Sequence, residues 1–80
     1  MTQINSYTVR YSFHLDGTRK DMTATREGVS SLHVAGIESA ELADLFDLPR
    51  VHLFEEEGSA FAQIGHTDGM YAALSVEWLV

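Results

Sequence analysis

The sequence predicts a small α+β domain, an antiparallel sheet of about five strands with one short helix, in the order ββ(β)αβββ. Three observations lead there. Tyr7 to Leu15 alternates apolar and polar residues, helical spacing of apolar residues begins only at Ser39, and alternation returns after Pro49 with short reversals between its runs. Strands on both sides of a lone helix, joined by short links, favour an antiparallel meander over parallel crossover units. Residues 1–80 are expected to form one domain.

The first strand places Tyr7, Val9, Tyr11, Phe13 and Leu15 on one face and Thr8, Arg10, Ser12 and His14 on the other. Asp16-Gly17 follows, a pair that tolerates the positive φ angles of a tight hairpin, so Arg19 to Arg26 is expected to return as a more polar second strand. Gly28 to Gly36 is ambiguous, because Ser31-Leu32-His33-Val34 reads equally as a short third strand or as a connection. Leu42, Leu45 and Phe46 then lie at i, i+3 and i+4, Ser39 is placed to cap a first turn, and Pro49 blocks continuation. A helix over about Ala40 to Leu48 is expected. Arg50 to Glu56, Ala60 to Gly65 and Met70 to Val80 complete the strands, with Gly58-Ser59 and His66-Thr67-Asp68-Gly69 as reversals.

A chain of this length buries roughly 60% of the surface its unfolded form exposes, so its core is thin and a deep internal pocket is not expected. There are no cysteines. Disulfides, thiolate nucleophiles and cysteine metal sites are thereby excluded, and a reducing compartment suits the chain. Met1 to Asn5 has neither the basic nor the apolar region of a signal peptide, and the apolar run Met70 to Val80 is interrupted by Glu77. A cytoplasmic protein that does not span a membrane is expected.

Charge is the most informative feature for function. Residues 28 to 80 carry nine carboxylates against the single basic residue Arg50, whereas the first 27 residues are close to neutral. A net charge of −7 argues against direct binding of nucleic acid, whose affinity comes largely from Lys and Arg displacing counterions. At helical spacing Glu41, Asp44 and Asp47 fall opposite the Leu42/Leu45/Phe46 stripe, Glu38 stands just before them, and Glu55-Glu56-Glu57 forms a second acidic group. The plainer reading makes these the solvated face of a helix and an acidic turn. Against it, Asp47 sits at a helix C-terminus, where the macrodipole disfavours an anion, and adjacent like charges repel in the triplet.

Catalytic and metal chemistry find little support. His14, His33, His52 and His66 are separated by 19, 19 and 14 positions, without the close pair that places two ligands on one element. No nucleophile elbow or phosphate-cradling glycine loop is present. No enzyme and no cofactor are expected.

The expectation is a non-catalytic binding protein whose Glu38, Glu41, Asp44, Asp47, Glu55, Glu56 and Glu57 occupy a basic surface on a partner, such as one that itself binds nucleic acid. These general traits, and not any matched motif, resemble those of phage-encoded inhibitors of bacterial defence, anti-CRISPR proteins included; the resemblance implies a host cytoplasmic target and a mimic of nucleic-acid charge. The alternative is an assembly module that homodimerises or docks through the apolar C-terminal strand, with Tyr71 and Trp78 as anchors, because aromatic side chains dominate interface hot spots.

Overall fold

A computed structural model describes residues 3–15, 17–65 and 73–80. Its elements are β1 (Asn5–Leu15), β2 (Thr18–Gly28), α1 (Ser31–Leu45), β3 (Arg50–Glu56), β4 (Ser59–Ile64) and β5 (Leu74–Leu79). All five strands belong to one antiparallel sheet in the order β2-β1-β5-β4-β3. The α+β class, five strands and a single helix are thus as the sequence predicts. The reversals His66 to Gly69, Asp16 and the start of the expected last strand lie outside the described residues.

The register explains the core. Val9 faces Trp78 and Trp78 faces Ala60; Tyr11 faces Val76 and Val76 faces Ala62; Leu74 faces Phe13 on one side and Ile64 on the other. Period-two alternation puts all of these on one face, where α1 covers most of them. Among the described residues no helix covers the opposite face. There Phe54 stacks on Phe61 at 5.1 Å between centroids, His52 lies 4.9 Å from Phe54, and Arg10 pairs with Glu77 at 3.7 Å.

The helix differs from expectation at both ends. It begins nine residues before Ala40, so the ambiguous stretch after Gly28 contributes helix and not a third strand. Ser30, in extended conformation at φ −154°, is the cap, and its Oγ accepts the His33 N–H at 3.1 Å. Val34, Gly36 and Ile37 are poor helix formers. Packing overrides them, because Ser31, Ala35 and Ser39 form a buried stripe of small side chains that lets α1 lie close on the alanines of β4. The hairpin passes equally close beneath: a Cβ on Gly28 would stand 2.2 Å from Val34 Cγ2.

The helix ends before Leu48 by a Schellman closure. Asp47 adopts φ 52°, its N–H donates to Asp44 O at 3.2 Å, and the Leu48 N–H donates to Ala43 O at 2.8 Å. Leu45 is consequently not a core residue and is 74% exposed, while Leu42 packs against the core. The β3–β4 reversal is Glu57-Gly58, one residue earlier than expected, since Glu56 pairs with Ser59 and φ is positive at both residues between them. The described residues at positive φ other than glycine are therefore Asp47 and Glu57, both acids.

Two substitutions test these ends. Ser30→Ala should cost about 1 kcal/mol by removing the cap. Asp47→Gly should gain about 1 kcal/mol by supplying a residue suited to the left-handed position and removing an anion from the negative end of the helix. Urea midpoints moving in opposite directions are the expected result.

Candidate functional site

The helix packs chiefly on β4 and β3 and only lightly on β2, so it sits off the centre of the sheet. A groove of about 780 Å³ remains between α1 and the β1–β2 hairpin. One wall is the flank of the helix carrying Val34, Ile37, Glu38, Glu41 and Leu45; the other carries Tyr11, Phe13, Met22, Ala24 and Arg26. Phe46 closes one end, edge-on to Phe13 at 5.9 Å, and Ile4 with Val29 borders the other. Met22 and Ile37 are each about half exposed, at 51% and 53%. Isolated exposed apolar residues are ordinary, but six of them, Ile4, Met22, Val29, Ile37, Leu45 and Phe46, line this one groove.

A polar knot forms part of its floor. Glu38, its side chain 13% exposed, accepts the Trp78 indole N–H at 3.2 Å and the Arg26 Nε–H at 3.2 Å, both on Oε2, and the Tyr11 hydroxyl on Oε1. Arg26 also donates from Nη2 to the Tyr11 hydroxyl at 3.3 Å and from Nη1 to Thr25 O at 2.8 Å. Trp78 is fully buried, and a buried indole N–H requires an acceptor. The carboxylate therefore joins α1 to β1, β2 and β5 at once. Burial, reinforced by the bond to Glu38 and its charge, pushes the Tyr11 phenol up to about 12, with Arg26 acting in the opposite direction.

The predicted site residues do not form one surface. Glu41 is exposed on the rim of the groove, and Asp44 and Asp47 are exposed at the helix C-terminus beside Leu48 and Pro49. Glu55, Glu56 and Glu57 are exposed at the other end of the helix, where Glu55 borders a shallow depression with Ser30 and Ser31. A 15-residue helix separates the two groups by about 22 Å. None of these six has an ion-pair partner among the described residues. Glu38 is a correction: it belongs to the internal knot and not to the solvated row, because the donors of Trp78, Tyr11 and Arg26 meet its carboxylate.

The C-terminal strand, in the alternative reading a docking element, is an interior strand of the sheet. β5 pairs with β1 on one side and β4 on the other, leaving no free edge, and Trp78 is a core residue. Tyr71 lies outside the described residues. Sequence reasoning missed the hairpin wall of the groove, although two residues between Leu15 and Thr18 imply the register that sets Tyr11 opposite Met22 and Tyr7 opposite Arg26. Among the described residues no group of three or more His, Asp or Glu is placed to hold a metal ion, and no helix is long and apolar enough to cross a membrane. No protein-family model, characterised protein or solved structure matches the chain.

Glu38→Ala leaves three donors without an acceptor and should cost about 3 kcal/mol, read from urea unfolding followed through the single tryptophan. Glu38→Gln, which keeps an acceptor, should cost less. The raised Tyr11 phenol gives a second test. A group whose pKa is higher in the folded state adds stability that is present below pH 10 and is lost as pH rises towards 12. Phenolate absorbance should show a late-titrating step, and Tyr11→Phe should remove it.

Proposed function

We propose that this protein is a non-catalytic binding domain that seats an apolar, Lys/Arg-bearing surface of a partner protein in the groove between α1 and the β1–β2 hairpin. The observation that carries the reading is the combination in one place of six exposed apolar side chains and, on the rim, the Glu41 carboxylate, which has no ion-pair partner among the described residues. Apolar contact supplies affinity, whereas Glu41 and Asp44 along α1, without ion-pair partners among the described residues, supply selection for positive charge and a faster encounter. A cationic occupant fits because Arg26, the one Arg or Lys lining the groove among the described residues, is already paired with Glu38.

Acids at both ends of α1 suit an extended basic surface better than a single cation. Surfaces that bind nucleic acid are of this kind, and a protein occupying one acts as an inhibitor by excluding phosphate. Asp47 and Glu57 support the reading, because each keeps a carboxylate at a left-handed position that glycine or asparagine fills at lower cost.

Two variants separate the contributions. Proteins retained from a bacterial lysate by the immobilised chain are purified and titrated against wild type, against Glu41→Lys/Asp44→Lys/Glu55→Lys/Glu56→Lys, and against Ile37→Ser/Leu45→Ser. Both variants should bind at least about 10-fold more weakly, with the salt dependence lost only in the first. Binding unchanged in both variants, or no retained protein, overturns the reading.

A further inference from the structure

The two edges of the sheet are protected unequally. β3 has a register irregularity between Arg50 and His52 and ends in the like-charged Glu55-Glu56-Glu57. Bulges and charge are the devices that keep an edge strand from pairing. By contrast, β2 pairs with β1 in unbroken register over eleven residues, contains no proline, is centred on Thr23, and carries charges of both signs, Arg19, Lys20, Asp21, Arg26 and Glu27, which can pair across a twofold axis where the like charges of β3 cannot. Its Thr23 and Thr25 belong to a residue type that favours strands. Because Leu15 faces Thr18 across a two-residue link, the even-numbered residues of β2 turn their backbone groups towards β1. Arg19, Asp21, Thr23, Thr25 and Glu27 turn theirs outward, to no neighbouring strand among the described residues.

We propose that two copies of this chain associate through β2, antiparallel and centred on Thr23, so that the sheet continues across a twofold axis. Charge complementarity selects this register. It sets Arg19, which already bonds Asp21 of its own strand at 3.1 Å, opposite the partner's Glu27 at both ends of the interface, so that each Arg19 stands between two carboxylates, and it sets Asp21 opposite the partner's Thr25. Recentring on Ala24 would oppose Asp21 and the partner's Glu27, two anions; recentring on Met22 leaves Glu27 without its cation. On the groove side Lys20 meets the partner's Arg26, whose charge Glu38 already offsets.

The assembly has a consequence for the groove. Met22 lies opposite the partner's Ala24, so the partner contributes to the floor of each groove and the two grooves join into one trough between the two helices. The dimer does not depend on the binding reading, and neither outcome of the lysate experiment decides it.

Sedimentation velocity of the full chain across the micromolar range tests the proposal. The expected species has twice the 8.9 kDa mass of one chain. Arg19→Glu and Glu27→Arg alone should each weaken association about 10-fold by opposing like charges twice, and Arg19→Glu/Glu27→Arg together should restore it. Both positions are exposed, and unchanged circular dichroism checks that the variants fold. A mass of 8.9 kDa at every concentration, a dimer insensitive to all three variants, or a double variant no tighter than the singles overturns the proposal.

Discussion

The Glu38 carboxylate is the point on which this fold depends. Most of its side chain is withdrawn from water, which is costly for an anion unless its oxygens are saturated by donors. Trp78, Arg26 and Tyr11 provide them, and each comes from a different strand. The fully buried indole could not occupy its place on β5 without an acceptor, and α1 is the element that brings one. The knot therefore fixes how far along the sheet the helix sits, which is a degree of freedom that apolar packing alone leaves loose. Hydrogen-bonded networks of this kind contribute to a unique arrangement more than to raw stability.

The position so fixed is off centre, and the groove follows from it. The buried stripe of α1 is made of Ser31, Ala35 and Ser39, small enough to let the helix settle onto Ala60 and Ala62. The larger side chains of the helix, Val34, Ile37 and Leu45, fall on the flank towards the hairpin. Close approach on one side and bulk on the other leave the hairpin's inner face partly uncovered. A thin core is thus no bar to a sizeable apolar surface; the surface is apolar because the core is too narrow to absorb it.

How much of this is legible in the sequence depends on which contacts decide each element. β1, its two-residue link and β3 are legible because alternation and Asp16-Gly17 are local signals. The first half of α1 is not, since its core contacts are made by serines and an alanine, which no hydrophobic periodicity marks, and Gly36 and the β-branched Val34 and Ile37 argue against a helix. The helical spacing of Leu42, Leu45 and Phe46 is real, yet of the three only Leu42 packs against the core cluster, because the buried face of the helix is set by Ser31, Ala35 and Ser39. Glu38 illustrates the limit most clearly. In one dimension it is the first of a row of acids; in three, its donors lie 27 residues before it and 40 after.

The remaining acids bear on what such a fold is for. Arg10, Arg19 and Lys20 lie on the hairpin with Asp21 and Glu27, while Glu41, Asp44, Asp47 and Glu55 to Glu57 lie along α1 and at the β3–β4 turn, so the acidic excess lies away from the hairpin, in two groups at opposite ends of α1. Local stability does not account for this. The helix has no acid in its first turn and no base in its last, the reverse of what its dipole favours at Asp44 and Asp47. Asp47 and Glu57 further hold positive φ angles at positions where glycine is less strained. Each cost is small, but all have the same sign, and all preserve negative charge. Such costs agree with the proposed cationic partner, whose charges would recover on binding the energy set against the isolated fold.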